Sequence, residues 1–235
     1  MVGSANGLAG SYIRWRSSRL GTITDRLEQA LLLELLGPLT GKMLLDVGCG
    51  DGALAVVLAR RGAHVTGLDA DPAMIAAARQ RTEREAVPLT IIEGRGEALP
   101  FLRGTFDVTL AVTSLCFVPN AAQAIAEMAR VLKPGGRLVI GELGRWSLWS
   151  LKRRVRGWFG SPTWRAAAFR TAGELRSLIE AAGLEVTGIR GAAYYPPLAL
   201  AAELLAPLDC WLGRTTTFGA AFIAVAARKP LASNL

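Results

Sequence analysis

The chain has 235 residues, 51% of them hydrophobic, which suits one large α/β domain with a sizeable buried core and excludes a disordered polar chain. Its 27 Lys and Arg against 19 Asp and Glu leave a formal charge of +8, but residues 145–176 alone hold eight basic side chains and one acidic one, so the excess is a local patch and not a global nucleic-acid signature. Cys49, Cys116 and Cys210 lie far apart without CxxC or HxxxH spacing, which argues against a disulfide framework and a zinc site and fits the reduced thiols of a cytoplasmic protein.

The first twenty residues carry Arg14, Arg16 and Arg19 and no continuous apolar run, so no secretory signal is expected. An apolar stripe predicts a helix over 25–36, ended by Gly37-Pro38, and a strand follows over 43–47. Residues 48–52 form a tight loop, 53–61 a helix and 65–68 a strand. Asp71-Pro72 is an N-cap followed by proline at the first helical position, opening a helix that runs to about residue 85. Strands are expected over 89–92 and 106–112, and Asn120 caps a helix through 132. Lys133-Pro134-Gly135-Gly136 turns the chain into a strand over 137–141, and residues 144–168 read as irregular. Thr171 and Glu174 form a capping box for a helix ending at Gly183, and two strands near 184–189 and 218–227 close the sheet. The apolar stretch 198–212 is interrupted by Glu203, Pro207 and Asp209 and is too short to cross a bilayer of roughly 30 Å. Apolar strands linked by helices predict one α/β domain over 1–235, doubly wound around a mostly parallel seven-stranded sheet, with ligands at the carboxyl ends of the strands.

The strongest chemistry lies in Leu44-Leu45-Asp46-Val47-Gly48-Cys49-Gly50-Asp51-Gly52. Glycines directly after a strand allow a sharp turn and leave no Cβ between the backbone and a ligand. Gly48, Gly50 and Ala53 also satisfy the looser GxGxxA dinucleotide pattern, with Asp69 at a suitable distance for a ribose contact, so the loop alone leaves two cofactor classes open. Asp46 favours one of them: a carboxylate at the strand end opposes a pyrophosphate and attracts the ammonium of a methionine moiety.

Taken with HVTGLD at 64–69, GEALPF at 96–101 and VLKPGGRLVI at 131–140, this loop resembles the class I S-adenosylmethionine-dependent methyltransferases, most closely their small-molecule and quinone-type branch, over about 25–142. The resemblance implies a Rossmann-like methyltransferase fold and S-adenosylmethionine as cofactor. It implies that Asp46, Gly48 and Gly50, with Cys49, line the methionine side, and that Asp69, followed by Ala70, accepts from both ribose hydroxyls. It also implies that Met74 packs on adenine, that Gly96, Glu97 and Ala98 form the loop at the adenine edge, and that Thr113 and Ser114 flank the transferable methyl. Such relatives commonly show Gly-Asp-Ala-Glu where this chain has Gly94-Arg95-Gly96-Glu97, and Arg95 cannot accept the hydrogen bond that the aspartate would.

Methyl transfer from a sulfonium needs alignment and desolvation more than a dedicated base. The family's Leu-His-His stretch is replaced by Leu115-Cys116-Phe117, and the single histidine, His64, starts a strand, which favours a structural role. Glu142 and Tyr12 are the candidate catalytic residues, with Tyr194 and Tyr195 as further bases. Tyr12 falls where the family often carries a lid aromatic, so residues 1–24 are expected to form an N-terminal lid. Residues 144–168 sit where the family inserts acceptor-binding structure. Within them Leu148, Leu151, Val155 and Trp158 form one apolar arc at helical spacing among Lys152, Arg153, Arg154 and Arg156. Such a helix suits an anionic membrane, an acidic substrate, stacked nucleobases or packing on its apolar side. The expectation is an enzyme methylating a small or lipophilic acceptor, cytoplasmic or peripheral at the membrane, through 145–159, without a nucleic-acid partner or metal. An RNA or protein methyltransferase and a non-enzymatic cofactor-binding or assembly protein stay open as alternatives.

Overall fold

In the computed structural model, which describes residues 14–231, Ser18 caps the first long helix by accepting from the Gly21 amide. That helix, α1 (Arg19–Leu36), begins six residues before the apolar periodicity that announces it, because a side-chain cap and not a hydrophobic position sets its start. The alternation that follows is β1 (Met43–Val47), α2 (Ala53–Ala59), β2 (His64–Asp69), α3 (Pro72–Glu85), β3 (Thr90–Glu93), β4 (Phe106–Val112) and α4 (Ala121–Val131). After it come β5 (Leu132–Leu143), α5 (Leu148–Trp158), α6 (Pro162–Ala166), α7 (Ala172–Ala181), β6 (Glu185–Ala192), α8 (Ala199–Thr215) and β7 (Phe222–Arg228). Local capping signals hold where the sequence predicts them: Asp71 accepts from Ala73 with Pro72 in the first turn, Asn120 accepts from Gln123, and Thr171 and Glu174 close both halves of a capping box.

The sheet runs β3-β2-β1-β4-β5-β7-β6, with β7 antiparallel to both its neighbours and every other pairing parallel. Both faces are covered, so the central strands are apolar on both sides. Leu44 and Leu110 face a cluster with Leu32 and Leu36 of α1 and Leu58 of α2, whereas Leu45 and Ala111 face one with Ile125 and Met128 of α4 and Ile179 of α7. Strand order reverses where β1 lies beside β4, and in such sheets the crevice at the carboxyl ends of those strands receives the ligand.

Two segments differ from their sequence expectation. Residues 133–136 are a bulge inside β5 and not a turn before it: Phe106 pairs with Leu132 but Val108 with Arg137. The bulge is held from outside, by the Gly135 amide on the Lys229 carbonyl and the Lys229 amide on the Gly136 carbonyl. Residues 144–168 are not irregular but carry α5, capped by Ser147 on the Ser150 amide, and the short α6. The apolar stretch 198–212 forms the N-cap and most of α8, which contains Pro207, and Asp209 turns inward to accept the Ala193 and Tyr194 amides at 3.0 and 2.9 Å. Among the described residues no helix is long and apolar enough to cross a membrane.

Lys229 closes the far end of α4, its Nζ donating to the carbonyls of Ala129 and Leu132 at 2.6 and 2.7 Å. Lys229→Met keeps the aliphatic stem and removes both bonds and the favourable charge at the helix end, and is expected to cost about 2 kcal/mol. Urea denaturation measures this, and a change within error would show that water replaces the ammonium.

Candidate active site

The loop after β1 folds back on β2: the Gly48 and Cys49 amides both donate to the Leu68 carbonyl, at 2.7 and 3.1 Å. Gly48 has φ +77°, and a Cβ there would stand 2.3 Å from Ser114 Cβ. Ser114 Oγ in turn donates to the Val47 carbonyl at 2.8 Å, so the ends of β1 and β4 touch through a residue without a side chain. Gly50 has φ +56°, and among the described residues a Cβ there would meet nothing within 4 Å, which leaves its outer side open to a ligand.

Asp69 ends β2 and accepts the Gly50 amide at 2.8 Å on one oxygen and the Asp71 amide at 2.9 Å on the other. Its carboxylate is thus fixed beside the glycine loop. Asp46 is buried, and desolvation followed by the negative charge of Asp69 pushes its carboxyl up to about 7. A cation against this pair would reverse that shift, which is the behaviour expected of a site for an ammonium group. Cys49 is buried, and burial raises its thiol pKa far above the usual range, so it is packing and not a nucleophile. Ala70 is exposed and Met74 half-buried on the first turn of α3.

The 94–101 loop is fastened by two residues that sequence reading did not single out. Glu127 accepts the Leu99 amide at 2.9 Å, and Arg130 donates to the carbonyls of Leu99 and Phe101 at 3.0 and 2.8 Å. The two form an ion pair at 2.7 Å, and the Arg130 guanidinium holds the Glu127 carboxyl below its ordinary value. Their i, i+3 spacing on a helix was the available signal. Gly96 is buried, with a would-be Cβ 3.2 Å from Val47, while Glu97 is half-buried and Ala98 exposed. Arg95 points outward and pairs with Glu97 at 3.4 Å.

The N-terminal segment closes one side. Of the expected lid over 1–24, residues 14–24 are described, with Arg16 pairing with Asp25 at 3.1 Å and with Asp51 of the glycine loop at 3.7 Å. Arg81 of α3 holds Asp51 from the other side, with its Nε on the Asp51 carbonyl at 2.8 Å. Tyr12 lies outside the described residues.

Opposite the loop, Thr113 and Ser114 follow β4, and the Thr113 amide donates to the Gly141 carbonyl at 2.7 Å. Glu142, one residue further along β5, is fully buried, and among the described residues neither carboxylate oxygen has a short hydrogen bond. The Arg170 guanidinium stands 3.9 Å away, and the Cys116 thiol and the Leu115 and Cys116 amides face it. Desolvation outweighs that nearby cation and raises Glu142 to about 7. Trp149 and Trp164 sandwich the Arg153 guanidinium at 5.3 and 5.1 Å, and Trp15 meets Trp149 edge-on at 6.1 Å.

The two tyrosines named as further bases are disfavoured. Tyr195 is buried with its hydroxyl 3.0 Å from Thr24 Oγ1 and its pKa pushed up to about 12 by burial, and the Tyr194 hydroxyl donates to the Thr216 carbonyl and is raised further. His64 sits exposed at the amino-terminal end of β2, the end of the strand away from the glycine loop.

A glycine cradle, a fixed carboxylate at the end of β2 and a buried acid at the end of β1, on a 3-2-1-4-5-7-6 sheet, define a class I methyltransferase fold whose residues fit S-adenosylmethionine. Residues 45–140 match the family model of a methyltransferase domain. A ubiquinone biosynthesis O-methyltransferase of Hahella chejuensis is 35% identical over 174 residues, which cover 68% of this chain and 70% of that protein. An uncharacterised Mycobacterium tuberculosis protein is 33% identical over 189 residues, 80% of this chain, and the chain spans 62% of that relative's length. An S-adenosylmethionine-dependent methyltransferase of Thermotoga maritima shares the fold, with a TM-score of 0.73 at 23% identity over 94% of this chain and 96% of that one. The chain belongs to the S-adenosylmethionine-dependent methyltransferases.

Proposed function

We propose that this chain methylates a small lipophilic acceptor, cytoplasmic and met at an anionic membrane surface through residues 145–159. When bound, S-adenosylmethionine supplies a methyl group on a sulfonium, with the leaving group already in place. In this reading Asp46, Gly48, Cys49 and Gly50 hold the methionine end. Asp69 and Ala70 hold the ribose, and Met74, Gly96, Glu97 and Ala98 the adenine. Thr113 and Ser114 border the methyl, and Tyr12 belongs to the lid.

The observation that carries the acceptor chemistry is Glu142, buried, without a short hydrogen bond among the described residues and raised to about 7. A carboxylate so placed takes the proton that a hydroxyl or amine acceptor loses as it is methylated. It is fully buried, so an acceptor reaches it only when the side chains around it give way. The quinone-pathway names of relatives such as the Hahella enzyme support a hydroxylated aromatic acceptor.

Transfer of labelled methyl from S-adenosylmethionine to hydroxylated aromatics, with and without an apolar tail, tests the reading. Turnover should rise as pH climbs through about 7, because only the ionised Glu142 accepts a proton. Glu142→Gln is expected to lower kcat about 100-fold or more, leave KM nearly unchanged and flatten that limb. It should not weaken the fold above pH 7, where it removes a buried, poorly compensated charge. An unchanged pH profile in the Gln variant would assign Glu142 to structure alone.

A further inference from the structure

A surface helix ordinarily turns its apolar stripe toward the core. α5 and α8 do the reverse. α5 buries Trp149, Ser150 and Gly157, and at 100° per residue this sets Leu148, Leu151, Val155 and Trp158 on the opposite side. Leu148, Leu151 and Trp158 are between 56% and 71% exposed. Lys152 and Arg156 line one edge of that stripe and Arg154 the other, all exposed, and no acidic residue occurs between Glu142 and Glu174. α8 buries Ala202, Asp209 and Gly213 and turns Leu200, Leu204, Leu208 and Trp211 outward, between 53% and 69% exposed.

The two helices share one support and one end of the sheet. Trp149 of α5 and Ala202 of α8 belong to a single buried cluster with Tyr195, whose carbonyl accepts from Trp149 Nε1 at 2.8 Å. Because β7 is antiparallel to both β5 and β6, those two strands run in the same direction, and α5 and α8 leave from the sheet end that carries the glycine loop. Exposed apolar surface of this extent calls for a partner. A second copy is disfavoured as that partner, since a symmetric contact would oppose two basic α5 flanks.

We propose that α5 and α8 together form a docking face for an anionic lipid bilayer, with their outward Leu and Trp side chains entering the interface and the α5 cations meeting the headgroups. The inference deepens the membrane contact suggested for residues 145–159 by adding α8, and it does not depend on the acceptor.

The test is flotation of the full chain with vesicles of phosphatidylcholine alone or mixed with phosphatidylglycerol. Binding should require phosphatidylglycerol and fall with salt. Lys152→Glu/Arg156→Glu and Leu204→Glu/Trp211→Glu should each lower partitioning by roughly tenfold or more, since each basic residue alone contributes about fivefold. Calorimetric binding of S-adenosylmethionine and the thermal midpoint should not change, because all four residues are exposed and away from the glycine loop. Absence of anionic-vesicle binding overturns the proposal, as does wild-type partitioning by the Leu204→Glu/Trp211→Glu protein. So does a wild-type dimer that this variant converts to monomer, which would assign the face to a second copy. Vesicle binding without S-adenosylmethionine binding would sink the methyltransferase reading and leave the docking face standing.

Discussion

The Asp69→Ala protein is expected to lose S-adenosylmethionine binding by roughly 100-fold or more while remaining folded. One oxygen of this carboxylate holds Gly50 and the other Asp71, so its removal frees the loop from β2 as well as deleting the proposed acceptor for the ribose. Hydrogen bonds to a charged group contribute about 1.5–3 kcal/mol each, and two such bonds to the cofactor would by themselves account for that loss. Asp69→Asn keeps one acceptor oxygen and should fall between the two. Calorimetric titration with S-adenosylmethionine and S-adenosylhomocysteine reads both variants, with NAD as the control that should give no heat. Affinity within a few-fold of wild type in Asp69→Ala would remove the carboxylate from the cofactor site.

Gly48→Ala and Gly50→Ala should fail in different ways although the residues are two apart. At Gly48 the new Cβ meets Ser114 Cβ at 2.3 Å in a left-handed backbone, so crowding of about 1–3 kcal/mol adds to about 1–2 kcal/mol for the backbone itself. The expected result is a loss of about 2–5 kcal/mol in denaturant unfolding, with Ser114→Gly in the same chain recovering the crowding part only. At Gly50 nothing among the described residues lies within 4 Å, so stability should fall by only about 1–2 kcal/mol while cofactor affinity falls much further, because the methyl enters the space proposed for the cofactor. Equal stability losses in the two variants would contradict this division.

What the sequence made legible was local. The caps at Asp71, Asn120 and Thr171 and the apolar strand runs each depend on residues within a few positions, and each element they mark is present. The glycine loop was legible for the same reason, and Gly50 and Asp69 meet although nineteen residues separate them. What escaped was decided from a distance. The bulge at 133–136 depends on Lys229, and the burial of Asp209 depends on its partners, the amides of Ala193 and Tyr194. Periodicity shows the apolar arc of α5 but does not say which way an arc faces. Packing of Trp149 against Tyr195 and Ala202 turned it outward.

The position of β7 has a consequence for how the molecule is assembled. β7 follows β6 in the chain yet lies between β5 and β6, so among the described residues β6 pairs with β7 alone. During synthesis, residues 185–192 therefore emerge before the strand that will hold them, and β5 presents an open edge until residues 222–228 leave the ribosome. The five parallel strands can form around the glycine loop in that interval, so the cofactor half is free to mature first, with β6 and α8 joining in one late step.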